Sequence, residues 1–436
     1  MIMPYVTIHK PGHESSLDAR GDYYIRVELT MIGSKYDVVI IGGGIIGLST
    51  AMSLSKEFSN LKILIIEKEP HIAQHQTGHN SGVIHAGIYY PPGSRKANFC
   101  YQGSIALRAF CDRFDIKYEM CGKLIVATQE SELPRLEELY RRGIANGVQR
   151  LEIIDRSRLY ELEPHTAGIK AIFSPETGIV DYSQVSETYL EQFKGNGGTF
   201  FSDIRLVNIT RDNHSLLLET SKGEILTKYL INCGGLHADK VARMMGIDLG
   251  VRIIPFRGEY FTIRASRRYL VNSLIYPVPD PGLPFLGVHF TKRITGEIEA
   301  GPNAVLALAR EGYRKSKIEL REIKGMLTYS GFWRMAFNHW KVGIKEQYRS
   351  TFKSVFLRSL QVLVPEIRSD DLVHPGSGVR AQAIDSMGRL IQDFHISETH
   401  NAIHVLNAPS PGATASLSIG KHIVNIAREN FSLVAK

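Results

Sequence analysis

The sequence predicts a mixed α/β fold (α+β overall), in which a domain with a parallel sheet is interleaved with a mostly antiparallel one. Strand and helix patterns alternate over residues 36–70, which favours a parallel sheet. Apolar stretches alternate with Gly and Pro over residues 250–310, as in antiparallel sheets. A strand, a glycine loop and a helix follow one another after residue 400. The chain is therefore predicted to return to the first sheet at its end.

A glycine-rich turn connects the first predicted strand to the first helix, in the stretch YDVVIIGGGIIGLSTAMSLS at 36–55. Gly42, Gly44 and Gly47 form G-x-G-x-x-G, and Glu67 follows twenty residues later at the end of a second apolar run. Glycine allows a tight turn, close approach of a pyrophosphate, and close packing of helix on strand. The helix N-terminus attracts the phosphates, and the acid accepts hydrogen bonds from a ribose. The first domain is therefore predicted to be Rossmann-like and to bind a dinucleotide.

Composition narrows the class of protein. The chain has 436 residues, a formal net charge of +8 and 43% hydrophobic residues, which suits a large globular core. The basic residues are scattered, so a small acidic substrate or an anionic lipid fits better than nucleic acid. Four cysteines without a C-x-x-C pair indicate reduced thiols. Residues 1–34 form an N-terminal extension whose acids argue against a transit peptide.

Further motifs downstream occur in the order typical of one enzyme family. The chain resembles the D-amino-acid-oxidase-like superfamily of FAD enzymes, and more closely the L-2-hydroxyglutarate dehydrogenase family. The motifs that carry this resemblance are HQTGHNSGVIHAGIYY (75–90), CGKLIVA (121–127), TGIVDY (177–182), IIPFRGEY (253–260), IYPVPD (275–280), PFLGVHFT (284–291), GPNAVLA (301–307), GVRAQA (378–383) and NAPSPGAT (407–414).

The resemblance implies a reaction and its partners. L-2-hydroxyglutarate would be oxidised to 2-oxoglutarate by hydride transfer from C2 to FAD, and the electrons would pass to an acceptor, which the family suggests is a quinone. It also implies a mitochondrial location in eukaryotes, or the inner membrane in bacteria. The sequence contains no His/Asp/Glu cluster with metal-ligand spacing, so no metal is predicted.

The cofactor residues follow partly from the turn and partly from the resemblance. Gly42, Gly44, Gly47 and Glu67 would hold the ADP half of FAD. The resemblance places a polar loop near the pyrophosphate and the isoalloxazine ring, and one backbone contact near the adenine. Two glycines would let a strand end pass near the cofactor, and the positive end of the C-terminal helix could face the flavin. These residues are Thr77, Gly78, His79, Asn80, Ser81 and Gly82 in the loop, Val207 by its backbone, Gly234 and Gly235, and Gly412, Ala413 and Thr414.

Substrate residues are assigned from charge and from the resemblance. Arg380 is the best carboxylate anchor, since a guanidinium forks onto a carboxylate and related enzymes place an arginine there. Arg257 is a second cation for which a structural role is equally acceptable. His85 and His289 are alternative bases for the hydroxyl proton. Whether the flavin is bonded covalently to a histidine is left open by the sequence.

The predicted division of the chain assigns residues 35–115, 183–246 and 372–436 to the FAD-binding domain, and 116–182 and 247–371 to the substrate domain. Residues 331–361 combine six basic residues with interleaved aromatics, including both tryptophans. Two interpretations fit this segment. It is a helix that lies in a membrane interface, or its aromatics pack on the core while its charges are solvated.

Three other functions compete with this assignment. The enzyme acts on another small anionic hydroxy or amino acid, because the scaffold does not decide the substrate. A flavin-dependent RNA-modifying protein is favoured only by the positive charge, and its binding would weaken steeply with salt. A regulator that binds FAD without catalysis would not show substrate-dependent bleaching of the flavin.

Overall fold

The computed structural model describes residues 35–212, 215–280, 282 and 286–434, so the predicted N-terminal extension lies outside the described residues. The helices are α1 (Ile45–Glu57), α2 (Arg95–Arg113), α3 (Leu133–Ala145), α4 (Arg156–Leu162), α5 (Tyr182–Gly195), α6 (Ala238–Met244), α7 (Leu320–Leu327), α8 (Ser330–Thr351), α9 (Lys353–Gln361) and α10 (Ser416–Asn430). The strands are β1 (Tyr36–Ile41), β2 (Ile63–Ile66), β3 (Val83–Ile84), β4 (Tyr118–Glu119), β5 (Lys123–Ala127), β6 (Glu152–Asp155), β7 (Lys170–Ser174), β8 (Gly178–Val180), β9 (Thr199–Phe201), β10 (Leu206–Asp212), β11 (Ser215–Thr220), β12 (Gly223–Asn232), β13 (Val251–Ile263), β14 (Leu274–Pro277), β15 (His289–Lys292), β16 (Ile298–Gly301), β17 (Val305–Leu306), β18 (Leu372–Asp385), β19 (His395–Thr399) and β20 (Ala402–Asn407).

The first sheet has a parallel centre in the order β9–β2–β1–β12–β20. Its middle strands read as continuous apolar runs, because helices and loops cover both faces. Val39 pairs with Leu64 on one side and with Leu230 on the other, and all three are buried. The antiparallel strands β10 and β11 extend the sheet beyond β12, and β19 pairs with β20. The predicted α/β fold is confirmed, including the return of the C-terminal part to this sheet.

Helices α1 and α10 cross in close contact on this sheet. A Cβ atom on Gly420 would lie 2.9 Å from the backbone of Ser49, so the two helices approach more closely than larger residues allow. The Ser49 hydroxyl donates to the carbonyl of Ser416 at 2.9 Å. This packing holds the start of α10 beside the start of α1.

The second sheet is mostly antiparallel, in the order β17–β13–β16–β15–β14–β5–β7–β6, with β18 on the other side of β13. Within the described part of this sheet, β14 and β5 form the only parallel pair. Strands β13 and β18 pair from Val251 with Asp385 to Ile263 with Leu372. Residues 372–385 therefore lie in the second sheet, although we assigned them to the FAD-binding domain. Their long register with β13 is the physical reason for this correction.

A third, small sheet has the strand order β3–β8–β4. Strand β3 follows the polar loop at 77–82, and α5 begins directly after β8, with the Asp181 side chain accepting from the Ser183 N–H at 2.8 Å. The C-terminal helix was predicted to open at residues 412–414. It begins at Ser416 instead, because residues 411–415 form turns in which the Ala415 N–H donates to the Pro411 carbonyl.

Residues 331–361 form two helices, α8 and α9, which meet at Phe352. Phe332 and Phe356 are buried, as the core-packing interpretation requires. Five other apolar side chains of α8 are exposed by 54–80%, and their spacing places them on one helix face. This aromatic face consists of Trp333, Phe337, Trp340, Ile344 and Tyr348. Within the described residues, no helix is both long and apolar enough to cross a membrane.

Candidate active site

The glycine turn between β1 and α1 forms an open cradle. Gly42 has φ +108°, and a Cβ atom there would lie 2.6 Å from the Cys233 carbonyl oxygen at the end of β12. A Cβ atom on Gly47 would clash with the Gly42 carbonyl oxygen. By contrast, a Cβ atom on Gly44 would meet only the Thr77 hydroxyl, at 3.5 Å. Glycine is thus needed at positions 42 and 47 because a side chain there would clash with the backbone of the protein, whereas the space above Gly44 is open.

Glu67 lies beside this turn, as its spacing predicts. One carboxylate oxygen accepts from the Gly43 N–H at 2.7 Å, and the other accepts from the Glu69 N–H at 2.9 Å. The carboxylate is therefore held at the end of β2. The chain that leads to Val207 also passes here, since the Ile204 N–H donates to the Glu67 carbonyl at 2.8 Å. The Val207 side chain itself is 55% exposed.

The polar loop at residues 77–82 docks on the N-terminus of α1. Thr77 accepts from the Ile45 N–H at 3.1 Å. Asn80 closes the loop, because its amide donates to the Thr77 carbonyl at 2.6 Å and its oxygen accepts from the Gly82 N–H at 2.8 Å. His79 stacks on Tyr313, with ring centroids 4.3 Å apart. Gly78 and Ser81 lie in the same loop, so the six predicted residues form one unit beside the cradle.

Two further predicted segments reach the same region. Gly234 and Gly235 follow β12, and the Gly234 N–H donates to the Asn232 side chain at 3.1 Å. Gly412 and Ala413 precede the buried Thr414. The Thr414 hydroxyl donates to the carbonyl of Val83 at 3.1 Å and accepts from the His85 N–H at 3.1 Å. The loop before α10 is therefore fastened to the strand that follows the polar loop.

His85 and His289 lie close together in a buried cluster. Burial is the main cause that lowers the pKa of each to about 3, and the neighbouring Lys123 contributes to the same shift. His289 Nδ1 lies 2.8 Å from the Gly287 carbonyl, so this nitrogen carries the proton and Nε2 is an acceptor. The His289 ring stacks on Tyr276, with centroids 3.9 Å apart. Both imidazoles are therefore neutral at pH 7 and able to accept a proton.

Arg380 joins this cluster, and Arg257 does not. Burial lowers the pKa of Arg380, and the nearby Tyr90 opposes that shift. The next residue, Ala381, donates its N–H to Gln76 at 3.0 Å, so the strand is tied to the polar loop. Arg257 is 7% exposed and forms an ion pair with Glu259 at 3.0 Å. These contacts suit a structural role for Arg257, and its contact with the substrate stays a prediction.

The sequence interpretation missed Lys123 and Tyr89. Lys123 is 2% exposed, and its ammonium lies 3.6 Å from the ring centroid of Tyr276 and 4.4 Å from that of Tyr89. Burial lowers the Lys123 pKa to about 7. The Tyr89 hydroxyl is buried without a hydrogen-bond partner among the described residues. A lysine inside the apolar run of CGKLIVA was the available signal, because lysine is almost never buried without a reason.

A separate acidic cluster carries metal-ligand side chains. Glu69, His75 and Glu311 present ligand atoms close to one another. The Lys68 ammonium forms an ion pair with each of the two carboxylates, at 2.6 Å from Glu311. Lys68 already neutralises charge at this cluster, and the expectation of no metal stays a prediction.

A family model described as FAD dependent oxidoreductase matches residues 37–426. The chain belongs to this family. FAD is therefore the cofactor of this FAD-dependent oxidoreductase. The cradle fits the group, because the open space above Gly44 adjoins the helix N-terminus that attracts a pyrophosphate.

Relatives of this FAD-dependent oxidoreductase occur in bacteria and animals. It is 49% identical over 397 residues to the L-2-hydroxyglutarate dehydrogenase of Indibacter alkaliphilus, covering 91% of this chain and 100% of that protein. It is 46% identical over 410 residues to the mitochondrial L-2-hydroxyglutarate dehydrogenase of Caenorhabditis elegans, covering 92% and 94%.

Solved structures share its fold. L-α-glycerophosphate oxidase from Mycoplasma pneumoniae, with FAD bound, superposes with a TM-score of 0.75 at 22% identity, covering 93% of this chain and 97% of that one. Glycine oxidase from Geobacillus kaustophilus superposes with a TM-score of 0.69 at 18% identity, covering 91% and 95%.

Proposed function

We propose that this chain oxidises L-2-hydroxyglutarate to 2-oxoglutarate. The observation that carries the proposal is a pair of basic side chains, the buried Lys123 and the partly buried Arg380, in the neighbourhood of the two neutral histidines. A dicarboxylate substrate supplies the negative charge that such a pair favours. The names of the bacterial and animal relatives support the same substrate.

The cofactor segments position the reaction. Gly44 and Glu67 would hold the ADP half of FAD, and the loops that contain Asn80 and Thr414 would hold its ring system. When bound, FAD supplies the acceptor for the hydrogen and electron pair that leave C2. The protein contributes binding, orientation and the removal of one proton from the C2 hydroxyl.

We assign His85 Nε2 as the base that accepts the proton of the C2 hydroxyl. The His85 backbone is bonded to Thr414, and its chain follows the polar loop directly, so it is held to both segments that would contact the ring. Its Nε2 lies 3.4 Å from the Ser410 hydroxyl. His289, fixed by Gly287 and by Tyr276, would orient the substrate instead. Replacing His85 with Asn should lower kcat, whereas replacing His289 with Asn should chiefly raise KM.

An anaerobic absorbance titration of the purified holoenzyme tests the substrate. L-2-hydroxyglutarate should bleach the oxidised-flavin band near ~450 nm, and the D enantiomer should not. Bleaching by another small hydroxy or amino acid alone would favour the second candidate, an FAD enzyme for a different small anion. The shared fold of the glycerophosphate and glycine oxidases supports that candidate.

We also propose that the aromatic face of α8 contacts a membrane and that the electron acceptor is a membrane quinone. Exposed Lys341 and Lys345 flank this face, so it combines apolar and basic groups as interfacial helices do. The membrane that α8 contacts would be the mitochondrial inner membrane in a eukaryotic cell and the inner membrane in a bacterium. The names of the animal relatives, which include the word mitochondrial, support a mitochondrial location in eukaryotes.

Flotation with lipid vesicles tests the membrane contact. The holoenzyme should float with vesicles that contain phosphatidylglycerol, and the double variant Phe337→Ser, Trp340→Ser should not. Tyr160→Ser is the matched control, because Tyr160 is an exposed aromatic on α4. Equal flotation of all three proteins would refute the role of α8. Turnover with a soluble quinone analogue but not with oxygen would support a quinone as the electron acceptor.

A further inference from the structure

Lys123 is a buried cation inside an aromatic cage. It begins β5, and its side chain is enclosed by the rings of Tyr276 and Tyr89. An ammonium over the face of a tyrosine ring is attracted by the ring quadrupole, most strongly where water is excluded. The cage therefore favours the protonated lysine, even though burial opposes it.

This cation lacks an anionic partner within the protein. Among the described residues, no carboxylate forms an ion pair or hydrogen bond with Lys123. An isolated buried charge is costly, so proteins pair such groups or let them neutralise. Tyr89 beside it contributes a second unsatisfied group, the hydroxyl that has no partner among the described residues. A buried ammonium without a carboxylate partner, beside a buried hydroxyl without an acceptor, indicates a place for an anionic ligand among the described residues.

The position of Lys123 relative to Arg380 suggests which anion it binds. His85 interacts electrostatically with Lys123 and His289, and its Nε2 lies 3.4 Å from the Ser410 hydroxyl. Ser410 in turn bonds Tyr90, which lies beside Arg380. The proposed base therefore has the buried Lys123 of β5 as one neighbour, and it is linked through Ser410 and Tyr90 to the partly buried Arg380 of β18.

We propose that Lys123, with Tyr89, binds the C5 carboxylate of L-2-hydroxyglutarate, while Arg380 binds the C1 carboxylate. This inference rests on the proposed function, and it makes Lys123 the residue that selects dicarboxylates over monocarboxylates. The C2 carbon, adjacent to C1, then lies between the cations and next to His85. The same lysine has no role in proton removal from the C2 hydroxyl.

Two substrates of equal carbon number test the inference with the holoenzyme. L-2-hydroxypentanoate has the C1 carboxylate and the C2 hydroxyl of L-2-hydroxyglutarate but lacks the C5 carboxylate. Lys123→Met should lower kcat/KM for L-2-hydroxyglutarate about 100-fold or more, mainly through KM, because the partner of a buried charge is removed. It should leave kcat/KM for L-2-hydroxypentanoate within about threefold. Lys56→Met, a change of an exposed lysine on α1, is the control and should alter neither value.

Other outcomes would overturn the assignment. Equal losses of kcat on both substrates would make Lys123 a base or a structural residue. An unchanged ratio between the two substrates would exclude any contact with C5. If the Met variant fails to retain flavin, Lys123→Gln is measured in the same way, and inhibition by glutarate gives an independent readout that should weaken about 100-fold. Failure of wild-type protein to oxidise L-2-hydroxyglutarate would instead refute the proposed function.

Discussion

Gly44→Val separates cofactor binding from folding at the glycine turn. Gly44 has φ −82° and ψ 170°, an extended conformation that valine adopts readily. The nearest atom to its Cβ would be the Thr77 hydroxyl oxygen at 3.5 Å, which is ordinary contact. We expect the free energy of unfolding of the apoprotein to fall by no more than about 1 kcal/mol. The branched side chain would occupy the space of the pyrophosphate, so FAD affinity should fall by about 100-fold or more, or roughly 3 kcal/mol.

Two measurements decide this prediction. Thermal unfolding of the apoprotein reports the fold, and titration with FAD followed by flavin fluorescence reports the affinity. Gly47→Ala is the contrasting variant, because its Cβ would clash with the Gly42 carbonyl and should destabilise the apoprotein strongly. Gly195→Ala is the neutral control, since no atom lies within 4 Å of its Cβ. Gly44→Val protein that binds FAD with wild-type affinity would refute our placement of the pyrophosphate.

Two further predictions concern buried charge. Acidification from pH 6.5 towards pH 4 should destabilise the protein, because His85 and His289 have pKa values of about 3 when folded and take up protons on unfolding. The free energy of unfolding should fall by at most about 1.4 kcal/mol per pH unit for each histidine. In the double variant His85→Asn, His289→Asn, the free energy measured by urea unfolding should depend less steeply on pH. Arg310→Ala should cost about 3–5 kcal/mol in urea unfolding, because it leaves the buried Asp239 carboxylate without its main partner. Arg243→Ala removes a half-buried partner of the same carboxylate and should cost less than about 1 kcal/mol; equal losses would contradict this reasoning.

The sequence by itself determined the nucleotide-binding half of the fold. Gly42, Gly47 and Glu67 act through neighbours that are close along the chain or on the adjacent strand, so their spacing carries the information. The apolar runs of β1 and β2 are continuous because both faces of a parallel sheet are covered, and this pattern is readable without a structure. The resemblance then supplied the polar loop and Arg380, which spacing alone does not identify.

The tertiary structure decided which residues meet at the candidate site. His85, Lys123, His289 and Arg380 lie in different segments, and only the packing of the two sheets and their connecting loops brings them together. Arg380 and Arg257 are close in register on β18 and β13, and the structure shows that Arg257 forms an ion pair with Glu259 whereas Tyr90 lies beside Arg380. Burial explains why the glycine turn could be predicted from the sequence and the partners of the site residues could not. A short local pattern reflects backbone geometry, whereas the charge state and the partner of a buried side chain depend on residues far away in the chain.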